Sequence, residues 1–196
     1  MIITFSGIDG SGKTTLAQTL TNALLNKGID TEYVKPRYVC NSIMKTFCEF
    51  EFGDPLSYIP NLDSTLYMCG IVVDFMDLLN EKLRDHDGKV YVCDRYIFDV
   101  LAQAFHYGAD PKPITAHFKH FPVPDISFYI EIDPLEAHER LLKRVDPPIY
   151  DIESLDNLEK LKAGYAKVNN MLIWKRHVID ASTKIDGILK YLDKIV

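Results

Sequence analysis

Long apolar runs are missing from this chain of 196 residues. No stretch approaches the roughly 18 consecutive apolar residues that mark a membrane-spanning helix, so no membrane partner is expected. MIITFSG, where the sequence begins, has neither a basic n-region nor a small-residue cleavage site. A secretory leader is therefore not expected, and a cytoplasmic location is. Cysteine is sparse: Cys40, Cys48, Cys69 and Cys93 form no CxxC pair, and no histidines are spaced to complete a zinc set. The thiols are expected to be reduced and used for packing. His117 and His120 in HFKHF read as a surface pair, with a metal site as the alternative. A basic excess is also missing, with 22 Lys and Arg against 28 Asp and Glu and a net charge of −6. That balance argues against a nucleic-acid polymer as partner and leaves small anionic ligands open. Internal repeats, low-complexity runs and linkers are absent, so residues 1–196 are expected to form a single domain.

What the sequence has is alternation. A hydrophobic fraction of 47% with 26% charged residues suits a globular domain with a real core. The β-rich runs IITFS, TEYVK, KVYVCD, DISFYIEI and RHVIDA alternate with stretches of helical period beginning near Lys13, Asp63, Ile97, Pro134, Ser154 and Lys184. This is the pattern of an α/β domain with a parallel sheet. Two segments interrupt it: Tyr38 to Asn61, rich in aromatic and polar residues, and VDPPIYDIES, whose proline pair breaks a helix. In an α/β enzyme such excursions gather over the carboxyl ends of the strands, where ligands bind.

GIDGSGKTT at residues 7–15 fits G-x-x-x-x-G-K-[ST] through Gly7, Gly12, Lys13 and Thr14. It follows a β-rich strand and opens an amphipathic helix, the context that gives the motif its mechanism. Backbone N–H groups of Gly10, Ser11, Gly12 and the first helical residues through Thr15 are expected to cradle phosphates, aided by the helix N-terminus. Lys13 is expected to reach the β- and γ-phosphates and the Thr14 hydroxyl to ligate Mg²⁺. The alternative is a glycine-rich turn with an exposed lysine. In VYVCDRYIF, Asp94 ends a buried strand, the place for a carboxylate facing Mg²⁺. Arg95 follows at once, and its fork suits the clamping of a transferring phosphoryl group. A structural Asp–Arg ion pair is the alternative there. No NKxD-type segment is present, which disfavours a GTPase.

Together, FSGIDGSGKTT, CDRYIF, PDISFYIEIDPLEAHER and WKRHVIDAS resemble the thymidylate kinase family of P-loop nucleoside monophosphate kinases, in order and approximate spacing. The resemblance implies a P-loop NTPase three-layer sandwich: a five-stranded parallel sheet flanked by helices, with a short lid at about residues 143–153. It also implies ATP and Mg²⁺, and transfer of the γ-phosphate to a nucleotide's 5′-phosphate. A homodimer is implied too, with IVVDFMDLL as one interface candidate; burial within one subunit is the other reading of that run. By the same resemblance, Asp9 reaches toward the acceptor sugar and the reaction centre, with a capped turn as the alternative. Lys35 and Arg37 in VKPRY fall near an arginine that contacts the acceptor phosphate, with a solvated basic edge as the alternative. Arg140 resembles the arginine that packs on the donor adenine, and Ala181 and Ser182 match the loop beneath that base.

The lid and the acceptor pocket depart from the family pattern. Pro148 and Ile149 stand where Asp and Arg are expected, and Ile8, Asp9, Gly10 and Ser11 offer no arginine. Lys143 and Arg144 are then the expected cations over the γ-phosphate, with Arg144 assigned as catalytic. STLYMCGIVVDFMDLL carries no arginine where the family has one four residues beyond an aromatic. Tyr67, Met68 and Phe75 either form an apolar slot for a flat ring or pack the core. Asp99 and Gln103 replace residues that the family uses around its acceptor. A pocket-facing Asp99 would accept from an amino group or repel a phosphate; a solvent-facing one would only favour a helix N-terminus. Three functions follow. The first is an ATP- and Mg²⁺-dependent kinase of a deoxynucleoside monophosphate, dTMP or a modified pyrimidine nucleotide. The second is a kinase of the same fold for a nucleoside or another small metabolite. The third, a catalytically weak nucleotide-binding regulatory protein, is opposed by intact Lys13, Thr14, Asp94 and Arg95.

Overall fold

Three runs, apolar at nearly every position, form the middle of the sheet: β1 (Ile2–Ser6), β3 (Val90–Asp94) and β4 (Ile126–Glu131). Both of their faces are covered, which is why they read as continuous rather than alternating hydrophobic runs. β2 (Thr31–Val34) and β5 (His177–Asp180) are less buried and lie at the edges. All pairings are parallel, in the order β2–β3–β1–β4–β5. The computed structural model describes residues 1–36, 42–53, 63–83, 88–116, 120–144, 153–171, 176–183 and 185–192. Among these the helices are α1 (Lys13–Asn26), α2 (Ser42–Phe52), α3 (Ser64–Leu83), α4 (Ile97–His106), α5 (Pro111–Ala116), α6 (Pro134–Leu142), α7 (Leu155–Met171) and α8 (Ile185–Leu192).

The period of two sends side chains of each strand to opposite faces. Ile3, Phe5, Val92 and Phe128 enter a core closed by Ala17 and Leu20 of α1 and Ile188 of α8. Ile2, Tyr91, Cys93 and Tyr129 enter a second core under α3, α4 and α7. The three-layer α/β architecture implied by the motifs is thus present. α4 and α7 approach so closely that a Cβ on Gly164 would sit 2.5 Å from the Ala102 carbonyl oxygen. Only glycine permits that approach, and it carries Tyr165 to the base of the phosphate loop.

Two helices were not anticipated. α2 lies inside the segment read as an interruption, where aromatic and polar residues hide a stretch of 11 residues free of glycine and proline. α5 begins on Pro111, which is favourable at a first helical position. In α3, Ile71, Val72, Phe75 and Leu79 are buried within the subunit, while Leu66 and Val73 are exposed. Cys48 and Cys93 are buried free thiols, and Cys69 is partly covered. Burial, with Asp94 adjoining, pushes the Cys93 thiol up to about 12, which suits packing rather than reactivity. Cys40 and His117 lie outside the described residues, among which no cluster of three or more His, Cys, Asp or Glu could hold a metal ion. No helix among the described residues is long and apolar enough to cross a membrane.

Candidate active site

After Ser6 the chain turns through residues 7–12 and enters α1 at Lys13, with Gly12 as N-cap at a φ of 89°. Gly10 has a φ of 81° and lies against α6, where a Cβ would collide with the Ala137 carbonyl oxygen. The loop is therefore pressed onto α6 and kept free of side chains where it must wrap a ligand. Lys13 is almost fully buried, and its ammonium donates to the Ile8 carbonyl at 3.1 Å and to Asp9 Oδ1 at 3.0 Å. Burial lowers its pKa and Arg95 adds to the shift, against the opposing pull of Asp9, Asp99 and Asp94. The buried Ser11 hydroxyl has no hydrogen-bond partner among the described residues.

The β1–β3 register pairs Phe5 with Asp94 and so brings that carboxylate beside the start of α1. Asp94 Oδ2 accepts from the Thr14 hydroxyl at 2.6 Å and the Tyr33 hydroxyl at 2.8 Å. Lys35 Nζ lies 3.2 Å from the same oxygen and donates to Thr14 Oγ1 at 3.3 Å. Oδ1 is buried with no hydrogen-bond partner among the described residues. Burial alone raises the Asp94 pKa, but the Thr14 hydrogen bond and the charges of Lys13, Lys35 and Arg95 bring it below its ordinary value.

Arg95 has a φ of 86°, the one positive value of a non-glycine residue among those described. Its N–H donates to the Phe5 carbonyl at 2.9 Å, and its guanidinium closes on Asp9 Oδ1. Such left-handed backbone costs of the order of 1–3 kcal/mol and persists where the surroundings demand it. Here it turns Arg95 into the phosphate loop rather than out along the strand. Burial opposes ionisation of Asp9, yet Arg95 and then Lys13 overcome it and hold the carboxyl well below the usual range.

Asp99 lies in the first turn of α4 and caps it by accepting from the Tyr96 N–H, but its side chain turns inward rather than to solvent and is fully buried beneath the phosphate loop. Oδ2 accepts from Ser6 Oγ and from the Tyr96 N–H, each at 2.8 Å; Oδ1 accepts from the Tyr165 hydroxyl at 2.5 Å. That hydroxyl lies 3.0 Å from the Gly7 carbonyl, so Asp99 ties α4, α7 and β1 to the loop. These bonds make Asp99 a positioning residue for the loop. Gln103 is buried on the same helix, and Tyr67 and Met68 are packed in the core, with Tyr67 edge-on to Tyr107 at 5.8 Å. For Tyr67 and Met68 the packing alternative is the one observed.

A cavity of about 470 Å³ opens over the loop, lined by Asp9, Gly10, Gly12, Lys13, Thr14, Lys35, Arg95, Arg140, Leu141, Arg144 and Glu153. Five cations face two carboxylates there, a field suited to a polyphosphate. Arg144 is held by Glu153 through two hydrogen bonds, of 3.0 and 2.6 Å, and Arg140 donates to Glu136 at 2.7 Å. Arg37 and residues 145–152, which include Pro148 and Ile149, lie outside the described residues. Ala181 and Ser182 follow β5, with the Ser182 N–H donating to Asp180 at 2.8 Å, and they do not line this cavity. Thr15 is exposed on α1. Sequence reasoning missed Ser6, Tyr33, Tyr165 and Glu153.

A family model described as "Thymidylate kinase" matches residues 64–190. The phosphate loop lies upstream of that match, and two of the relatives below are matched across the whole of this chain. A "Probable thymidylate kinase" of Sulfolobus acidocaldarius is 30% identical over 203 residues, covering 100% of this chain and 95% of the relative. A "Thymidylate kinase" of Leptospira borgpetersenii is 30% identical, covering 86% and 80%. Another, of Xanthomonas campestris pv. campestris, is 28% identical, covering 100% and 82%.

Proposed function

Because the chain belongs to the thymidylate kinase family, we propose that it transfers the γ-phosphate of Mg²⁺-bound ATP to the 5′-phosphate of a deoxynucleoside monophosphate, dTMP or a modified pyrimidine nucleotide. The observation that carries this reading is the convergence of Lys13, Lys35, Arg95, Arg140 and Arg144 on one cavity above the loop and the Thr14–Asp94 corner. That corner fits a magnesium ion: the Thr14 hydroxyl and the Asp94 carboxylate are hard oxygen donors, and the buried Asp94 Oδ1 has no hydrogen-bond partner among the described residues. When bound, the metal neutralises charge on the β- and γ-phosphates. Lys13 and the amides of Gly10, Ser11, Gly12 and Thr14 bind the phosphates. Arg140, with Ala181 and Ser182, serves the adenine. Asp9 keeps Lys13 and Arg95 poised until the donor enters, and Arg95 and Arg144 then clamp the phosphoryl group. An acceptor phosphate oxygen is already nucleophilic, so positioning and charge neutralisation suffice.

A second reading, an unphosphorylated acceptor, is favoured by one observation: α3 has no arginine, and its Tyr67 and Met68 are committed to the core. An acceptor panel separates the two. With Mg-ATP, dTMP or dUMP should release ADP well above a buffer control; release with thymidine and none with either monophosphate overturns the first reading.

A further inference from the structure

The corner assigned to magnesium already contains a cation of the chain itself. Lys35 Nζ touches the Thr14 hydroxyl and one oxygen of the Asp94 carboxylate assigned to the metal, at 3.3 Å from Thr14 Oγ1 and 3.2 Å from Asp94 Oδ2. Register puts it there: β2 pairs Val34 with Cys93, so the next residues along, Lys35 and Asp94, lie side by side at the carboxyl ends of their strands. The Asp94 side chain is fully buried while that of Lys35 is 47% exposed. The ammonium thus reaches in from the rim on a flexible stem and can withdraw without unpacking the core. A buried carboxylate lacking a counter-charge is costly, and Lys35 adds its charge from the rim to those of Lys13 and Arg95.

We propose that Lys35 is a resident stand-in for the divalent cation. Without metal it holds Asp94 and Thr14 together and offers its charge to a metal-free nucleotide. When Mg²⁺ is present the two cations compete for the same carboxylate and hydroxyl corner, and Lys35 withdraws into the cavity it lines. The inference rests on the magnesium reading of Thr14 and Asp94. It differs from a plain phosphate contact in one respect: the charge of Lys35 must matter more when metal is absent.

The test is calorimetric titration of ADP in excess EDTA and in excess Mg²⁺, with wild type, Lys35→Met and Lys35→Arg. Lys35→Met keeps the apolar stem and removes the charge. The ratio of dissociation constants without and with Mg²⁺ should rise roughly ten-fold in Lys35→Met, a typical coupling between interacting sites. Lys35→Arg, which keeps the charge, should stay nearer the wild-type ratio. An equal loss of affinity under both conditions, or no loss under either, overturns the inference alone. Failure of the wild type to bind ADP under either condition overturns the donor-site reading and this inference with it.

Discussion

Asp9 Oδ1 receives both Lys13 and Arg95, so its proton is coupled to folding as well as to ligand binding. Its folded pKa, like that of Asp94, lies below the ordinary 3.8. A depressed carboxyl adds stability that is complete above the unfolded value and lost as pH falls through the folded one. Urea unfolding should therefore show stability steady near neutrality and draining away below about pH 4. Asp9→Asn should flatten that acid limb, and an unchanged limb would contradict the pairing. Lys13→Ala should abolish transfer and weaken ATP binding; retained turnover would remove the role assigned to the loop. These residues were legible because a glycine-rich loop, its lysine and a strand-end Asp-Arg carry their context in a few neighbouring positions. Asp99 was not legible. Its direction depends on Tyr165, 66 residues further along, and on Ser6, 93 residues before it.

At the scale of elements, the phosphate loop stands on the α4–α7 contact. Gly164→Ala would push a Cβ into the Ala102 carbonyl and should cost about 1–3 kcal/mol, read as a lower urea midpoint. A neutral result would mean that the helices separate easily. Arg144 and Glu153 bracket residues 145–152, and their pairing keeps the arginine at the cavity wall. Arg144→Ala should lower kcat by about 10³ or more with a smaller change in the KM for ATP, as for other phosphoryl-clamping arginines. A change confined to KM would make Arg144 a binding residue only. The five strands were readable because their apolar runs are bounded by polar turns. α2 and α5 escaped because α2 lies in a stretch rich in aromatic and polar residues and α5 is only six residues long. Lys35 was visible as a basic residue, but its neighbour was not, since only the parallel β2–β3 register sets it beside Asp94.

At the scale of the whole molecule, a net charge of −6 coexists with a cavity lined by five cations and two carboxylates. The overall balance spoke only about partners that cover large surfaces, whereas the sheet order concentrates local charge where β1 lies between β3 and β4. Family membership and the cavity together make phosphoryl transfer between nucleotides the central claim. The direct measurement incubates the protein with Mg²⁺, dTMP and ATP labelled at the γ-phosphate, then separates and identifies the labelled products. The label should appear in the β-phosphate of dTDP and vanish from it in Lys13→Ala. Label in free phosphate alone, or in thymidine when that is supplied but never in dTDP, would contradict the account.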